Sequence, residues 1–91
     1  MVSLYVIAAN KDGPVKIGYS KNPNKRLKQL QTSNSEKLTL FYSAEFAEDK
    51  VKIAEGFVHG LSNQHRTSGE WFSISVEEAI WRIDYALIFH S

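Results

Sequence analysis

The chain opens on an apolar run. Ser3-Leu4-Tyr5-Val6-Ile7-Ala8-Ala9 is rich in β-branched and aromatic residues and ends at Asn10-Lys11-Asp12-Gly13-Pro14. That pattern predicts a strand over 3–9 and then a turn, in which Asp-Gly supplies the positive backbone dihedral of a reversal. Val15-Lys16-Ile17-Gly18-Tyr19 alternates apolar and polar residues and predicts a second strand, paired back on the first as a hairpin. Asn22-Pro23 reads as a helix cap followed by a first-turn proline; Leu27 and Leu30 give that helix a short apolar stripe, and Asn34 is its stop. Leu38–Phe46 is a third strand. From Ala47 to Ser62, the residues Ala47, Val51, Ala54, Val58 and Leu61 recur at spacings of three and four, the signature of an amphipathic helix. The stretch 63–69 is polar and predicts irregular chain, and 70–74 is short and extended. Ser75-Val76-Glu77-Glu78 forms a capping box that opens a last helix running to about His90.

The order is therefore β-β-α-β-α-(β)-α. It implies an α/β domain of the α+β kind, with a small, mainly antiparallel sheet of three strands flanked by helices. Length leaves room for one domain over 1–91, without repeats, low-complexity tracts or a linker. The last helix carries two apolar stripes. Val76, Ile80, Ile83 and Leu87 form one; Trp81, Tyr85 and Ile88 form a second about 100° away. Either both are buried beneath the sheet, or the second meets a partner, with a homodimer through this helix as the specific expectation.

Composition narrows the chemistry. The absence of cysteine removes disulfides, thiolate metal sites and cysteine nucleophiles, so any metal must be held by oxygen or imidazole. The longest apolar run is far below the roughly 20 residues of a membrane span, and the start lacks a basic region followed by an apolar one. An intracellular, cytoplasmic protein with no membrane partner is the expectation. The net charge of +1 conceals a split: residues 1–41 carry seven cations against two acids, and residues 42–91 carry four against eight. A basic half beside an acidic half points to a polyanion surface.

Some side chains have the chemistry to use such a surface. Tyr5 and Lys16 lie roughly opposite each other across the hairpin. Arg26 sits early in the first helix. Glu55 and His59, four apart on the second helix, are neighbours on the shoulder of its apolar stripe. Taken singly, each has a plainer role: Tyr5 as a packed strand aromatic, Lys16 as a solvated strand residue, Arg26 as a surface ion pair worth under about 1 kcal/mol, Glu55–His59 as a helix-surface pair. Trp71 and Phe72 read as core.

Taken together and in order, the pieces say more. Leu4-Tyr5-Val6-Ile7, then Val15-Lys16-Ile17-Gly18-Tyr19-Ser20, then Asn22-Pro23-x-x-Arg26-Leu27-x-x-Leu30-Gln31-Thr32 are followed by Leu38-x-Leu40, Glu55-x-x-x-His59 and Arg66-x-x-Gly69-Glu70-Trp71-Phe72. This series resembles the GIY-YIG nuclease superfamily, in particular its small phage and bacterial DNA-binding branch, over residues 4 to about 80. The resemblance implies a hairpin bearing two tyrosine motifs and a metal-dependent endonuclease acting on nucleic acid, DNA rather than RNA. Tyr5 corresponds to the first-motif tyrosine and Arg26 to the arginine that neutralises the scissile phosphate. Glu55 corresponds to the glutamate that holds one divalent cation, Mg²⁺ or Mn²⁺. His59, Arg66, Glu70 and Trp71 belong to the branch's own pattern, as does Gly18 to the second motif.

Two departures stand out. Ser3-Leu4 precede Tyr5 where the family has a glycine, and Lys16 takes the place of the second-motif tyrosine. Tyr19 is no substitute, because its odd offset points it to the other face of the strand. Gly56 is also unusual, costing a helix interior roughly 1 kcal/mol relative to alanine. In the active reading Tyr5 is the general base, its pKa lowered by the metal or Lys16, and His59 orients a metal-bound water or passes a proton. The alternative is a binding module that has lost turnover, with Lys16, Lys21, Lys25, Arg26, Lys28 and Arg66 on backbone phosphates and little sequence specificity.

Overall fold

The computed structural model describes residues 1–90. Its elements are β1 (Val2–Ala8), β2 (Val15–Ser20), α1 (Pro23–Gln31), β3 (Thr39–Phe46), α2 (Glu48–Ser62), a short 3-10 turn (Asn63–His65), β4 (Arg66–Ser68), β5 (Trp71–Phe72) and α3 (Val76–His90). The sheet has five strands in the order β3-β1-β2-β5-β4, each antiparallel to its neighbour. The α+β class and the antiparallel sheet are as expected, but the count of three strands is not. Residues 63–69, expected to be irregular, contain β4, and β4 and β5 form a hairpin laid along the outer edge of β2. The reason for the miss is physical. Three exposed polar residues and a two-residue partner carry no alternation to detect, and the hairpin exists only because β2 offers it an edge.

Local signals behave as their chemistry dictates. Asn22 caps α1 by accepting from Lys25 N–H at 3.1 Å, with Pro23 in the first turn. The helix ends at Gln31, three residues before the expected stop at Asn34, and 3-10-type bonds from Ser33 and Asn34 close its last turn. Ser75 caps α3 by accepting from Glu78 N–H at 3.1 Å; Glu78 itself turns to Arg82, 3.5 Å away. Gly13, at φ +87°, turns the chain between β1 and β2.

The two faces of the sheet are unequally covered. On one, Val2, Leu4, Val6, Ala8, Val15, Ile17, Ala44 and Phe46 meet Val51, Ala54 and Val58 of α2 and Val76, Ala79, Ile83 and Ala86 of α3, forming the main core. On the other, a small core of Tyr5, Ile7 and Leu38 is roofed by Leu27 and Leu30 of α1, no residue of which is fully buried. Ser62, itself buried, joins α2 to α3 by accepting from Arg82 Nη1 at 2.8 Å. The second stripe of α3 is exposed: Trp81 63%, Tyr85 38%, Ile88 74%. Among the described residues no helix is long and apolar enough to cross a membrane.

Candidate functional site

The register of the hairpin sets the site. Tyr5 stands opposite Gly18, and Lys16 opposite Ile7, so Tyr5 and Lys16 share one sheet face as diagonal neighbours across the hairpin. Tyr19 pairs with Leu4 and lies on the other face, where it is exposed. The lack of a side chain at 18 makes the site possible. A Cβ there would stand 2.5 Å from the Tyr5 hydroxyl and 2.9 Å from Glu70 Oε1, so the phenol and the carboxylate converge over bare backbone.

Glu70 arrives by the short loop that joins β4 to β5. Its backbone carbonyl accepts from Ile17 N–H at 3.1 Å, and its side chain meets Lys16 Nζ at 3.4 Å. Lys16 is 8% exposed and lies 5.8 Å from the centroid of the Trp71 ring, so an apolar wall and a carboxylate hold it rather than solvent.

Glu55 comes in from α2. Its Oε2 is buried without a hydrogen-bond partner. Burial, then the charge of Glu70 and a hydrogen bond with it, push the Glu55 carboxyl up to about 7, against the opposing pull of Lys16 and Arg66. Burial likewise raises Tyr5 above its ordinary value; Arg26 opposes the shift by hydrogen bonding and charge, and Glu70 and Glu55 add to it. Tyr5 is thus a neutral phenol at neutral pH, and the cation that draws its pKa down is Arg26, not Lys16. Neighbouring cations do not outweigh the loss of water.

One residue has a more structural post than expected. His59 Nε2 lies 2.8 Å from the carbonyl oxygen of Ile17, which can only accept, so Nε2 carries the proton. That carbonyl sits on the edge of β2 past the last strand pair with β5, and the ring, 5.0 Å from Phe72, seals it. Arg66 lies over the Phe72 ring, donates through Nη1 to the Gly69 carbonyl and bonds Asn63, which stiffens the turn that delivers Glu70. Among the other cations, Lys21 pairs with Glu48 at 3.4 Å, while Lys25 and Lys28 are exposed on α1.

Tyr5, Lys16, Gly18, Arg26, Glu55 and Glu70 thus come together from five parts of the chain, β1, β2, α1, α2 and the β4–β5 turn, with Trp71 beside them. The family match covers the whole arrangement, over residues 3–84. The chain belongs to the T5orf172 domain family. The match runs from β1 into α3, so every residue of the cluster lies within the T5orf172 domain. Membership of this family points to nuclease-like or DNA-binding chemistry. No curated protein and no solved structure matches the chain.

What sequence reasoning missed is that Glu70 lies close enough to Glu55 to raise its pKa. Bringing the two carboxyls near one another needs the β4–β5 turn, and nothing in the spacing of 55 and 70 signals it. Among the described residues no three His, Asp or Glu side chains gather in a ready-made metal cage.

Proposed function

We propose that this T5orf172 domain is a metal-dependent endonuclease of the GIY-YIG type that hydrolyses phosphodiester bonds in DNA. The observation that carries the reading is the convergence of Tyr5, Arg26 and Glu55, with one oxygen of Glu55 buried and unpartnered.

The donor chemistry suits a hard cation. An orphaned carboxylate oxygen that holds a proton up to about pH 7 is short of positive charge, and Mg²⁺ commonly takes one or two carboxylates, filling its other positions with water and phosphate oxygens. Glu55 would hold the ion, with Glu70 close by. When bound, Mg²⁺ or Mn²⁺ supplies Lewis-acid stabilisation of charge on the leaving oxygen.

The chain's own groups do the rest. Arg26 clamps the non-bridging oxygens of the scissile phosphate and offsets the charge that builds on them. Tyr5, a neutral phenol fixed between Arg26 and Glu70, orients the attacking water and relays its proton: as the water oxygen bonds to phosphorus and the bond to the leaving oxygen breaks, the phenol oxygen takes the water's proton and passes its own to the Glu70 carboxylate. Lys16 stands where the family has its second tyrosine. It contributes a point charge to phosphate rather than a second phenol in a proton relay. His59 acts by holding the β2 edge, and so the position of Gly18, in place.

Supercoiled plasmid incubated with Mg²⁺ or Mn²⁺ tests the reading. The wild type should nick it and Glu55→Ala should not; equal nicking by the two would refute the assignment. The Lys16–Glu70 pair favours a second reading, a DNA-binding module of the same fold that has lost turnover. That module would bind DNA with steep salt dependence and never cleave it.

The apolar face of α2 and α3 favours a further role, self-association. Trp81 stacks on Tyr85 at 5.5 Å, Tyr85 meets Phe89 edge-on at 5.1 Å, and Ile88 of α3 and Ile53 of α2 are exposed as well. These five residues expose on the order of 700 Å² of mostly apolar surface, close to the roughly 800 Å² per partner of a stable interface, so a second copy of the chain is the occupant proposed. Sedimentation at micromolar concentration should find a dimer in the wild type and a monomer in Trp81→Glu; a wild-type monomer removes the proposal.

A further inference from the structure

At the opposite end of the Tyr5 face lies a cavity of about 270 Å³. Its floor and walls include Trp71, Leu38 and Pro14; Asn10, Asn34 and Glu36 reach it from two exposed loops. Its volume is enough for one planar heterocycle and too small for a duplex. Trp71 is common to the cavity and the charged cluster, since the same side chain that lines the cavity carries Lys16 Nζ 5.8 Å from its ring centroid.

The polar groups have a definite sense. Asn10 Oδ1 accepts from Asp12 N–H at 3.0 Å, and Asn34 Oδ1 accepts from Glu36 N–H at 3.1 Å. Each amide thereby spends its oxygen on its own loop and keeps its NH₂ as a donor. Glu36, exposed, offers a carboxylate acceptor. A half-buried indole, two amide donors and one acceptor are the chemistry that recognises a nucleobase by stacking and by its hydrogen-bonding edge. A free phosphate has no use for the indole wall, and no lysine or arginine lines the cavity to hold one.

We propose that this cavity receives one unstacked nucleobase of the strand whose phosphate lies at the Tyr5–Arg26–Glu55 cluster. The inference rests on the nucleic-acid reading of that cluster and adds the form of the substrate: a single strand, or a duplex from which one nucleotide has been turned out. A paired base inside a duplex cannot enter a cavity of this size. The preference for single-stranded over paired DNA follows from the cost of unstacking, which the cavity must meet for a duplex and need not for a free strand.

Fluorescence separates the inference from its basis. The chain has two tryptophans, and Trp81 is exposed on α3, so Trp81→Phe leaves Trp71 as the sole indole reporter. This variant is titrated, without added metal, with a labelled single-stranded oligonucleotide, with its duplex and with an abasic strand of the same length. Anisotropy reads binding, and indole emission reads stacking on Trp71. The base-bearing strand should bind about tenfold or more tighter than the abasic one and quench Trp71, which the abasic strand does not. Asn10→Ala combined with Asn34→Ala should shrink that difference at least threefold and leave binding of the abasic strand unchanged, with a melting curve confirming the fold. Equal affinity for the two strands, or base-dependent binding without quenching of Trp71, overturns the cavity assignment while leaving phosphate binding standing. Failure of all three nucleic acids to bind at low salt overturns both.

Discussion

The two faces of the sheet have been given opposite tasks. The face beneath α2 and α3 is a continuous apolar core, with Phe46, Phe72, Ile17 and Ile83 inaccessible to water. The other face has a small apolar core of Tyr5, Ile7 and Leu38, under a helix that buries none of its own residues, with Lys16 buried beside it. Burial of apolar surface supplies most of the stability of a small domain. A chain that concentrates it on one face is free to leave carboxyls, a phenol and cations under strain on the other. The division also explains α1, which is held by its cap and two half-buried leucines and brings Arg26 within reach of Tyr5.

The widest contrast is between two aromatics on adjacent strands. Phe46→Ala should cost about 3–5 kcal/mol in urea unfolding, from the lost transfer energy and the cavity left behind. Tyr5→Phe, which removes one oxygen, should cost under about 1 kcal/mol yet lower plasmid nicking by about 10²-fold or more, the ordinary range for a positioned proton-transfer group. If Tyr5→Phe instead unfolds the domain, the two faces are not divided as argued.

Gly18→Ala asks how tightly the second face is built. The added methyl would meet the Tyr5 hydroxyl and Glu70 together, and both are held on the far side, Tyr5 by its burial and Glu70 by Lys16. Overpacking of this kind costs about 1–3 kcal/mol, and the displaced phenol should take cleavage down with it. Gly56→Ala, by contrast, adds a methyl to open space on α2 and should stabilise by up to about 1 kcal/mol. A stability loss at 18 no greater than the change at 56 would mean that the Tyr5–Glu70 contact is loose.

This is also where the sequence ran short. The hairpin, the caps of α1 and α3 and the stripe of α2 were legible because each depends on neighbours in the chain: Asp12-Gly13, Asn22-Pro23, Ser75 with Glu78, apolar residues one turn apart. Tyr5, Arg26 and Glu55 were picked out by their place in an ordered series. The β4–β5 hairpin was not legible, and with it went the position of Glu70, the edge of β2 that His59 closes and the sign of the Tyr5 shift. These depend on the edge that β2 offers to β5 and to His59, dozens of positions away, and on how much water the fold excludes, neither of which leaves a periodic trace.

A smaller effect is expected from the Glu55–Glu70 contact. The Glu55 carboxyl titrates at about 7 in the fold against an ordinary 4.5, so between those values the folded chain holds a proton that the unfolded chain has lost. Stability is therefore fully present below about pH 4.5, falls as pH rises through about 7 and is level above it. Partial solvent screening keeps the loss on the order of 1–2 kcal/mol. Thermal melts at pH 5 and pH 8 should show the drop in the wild type and none in Glu55→Gln. Mg²⁺ should restore the wild type at pH 8, because the cation takes the place of the lost proton, and should leave the variant unmoved. Equal slopes in the two chains would mean that Glu55 is better solvated than its orphaned oxygen implies.

The gentlest probe lies outside the cluster, on the rim of the same face. Lys25 is exposed on α1 one residue before Arg26, and its side chain has no ion-pair partner among the described residues, whereas Lys21 is already matched to Glu48. If α1 lies along a DNA backbone, Lys25→Ala removes one phosphate contact and lowers the slope of log affinity against log salt by about 1. Lys21→Ala should change it less, because releasing Glu48 costs no counterion from DNA. Neither variant should move the melting curve by more than about 0.5 kcal/mol, since both side chains stand in water. A salt slope that both leave unchanged would take α1 off the DNA and confine contact to the cluster, so the charge of the first half would serve solubility more than binding.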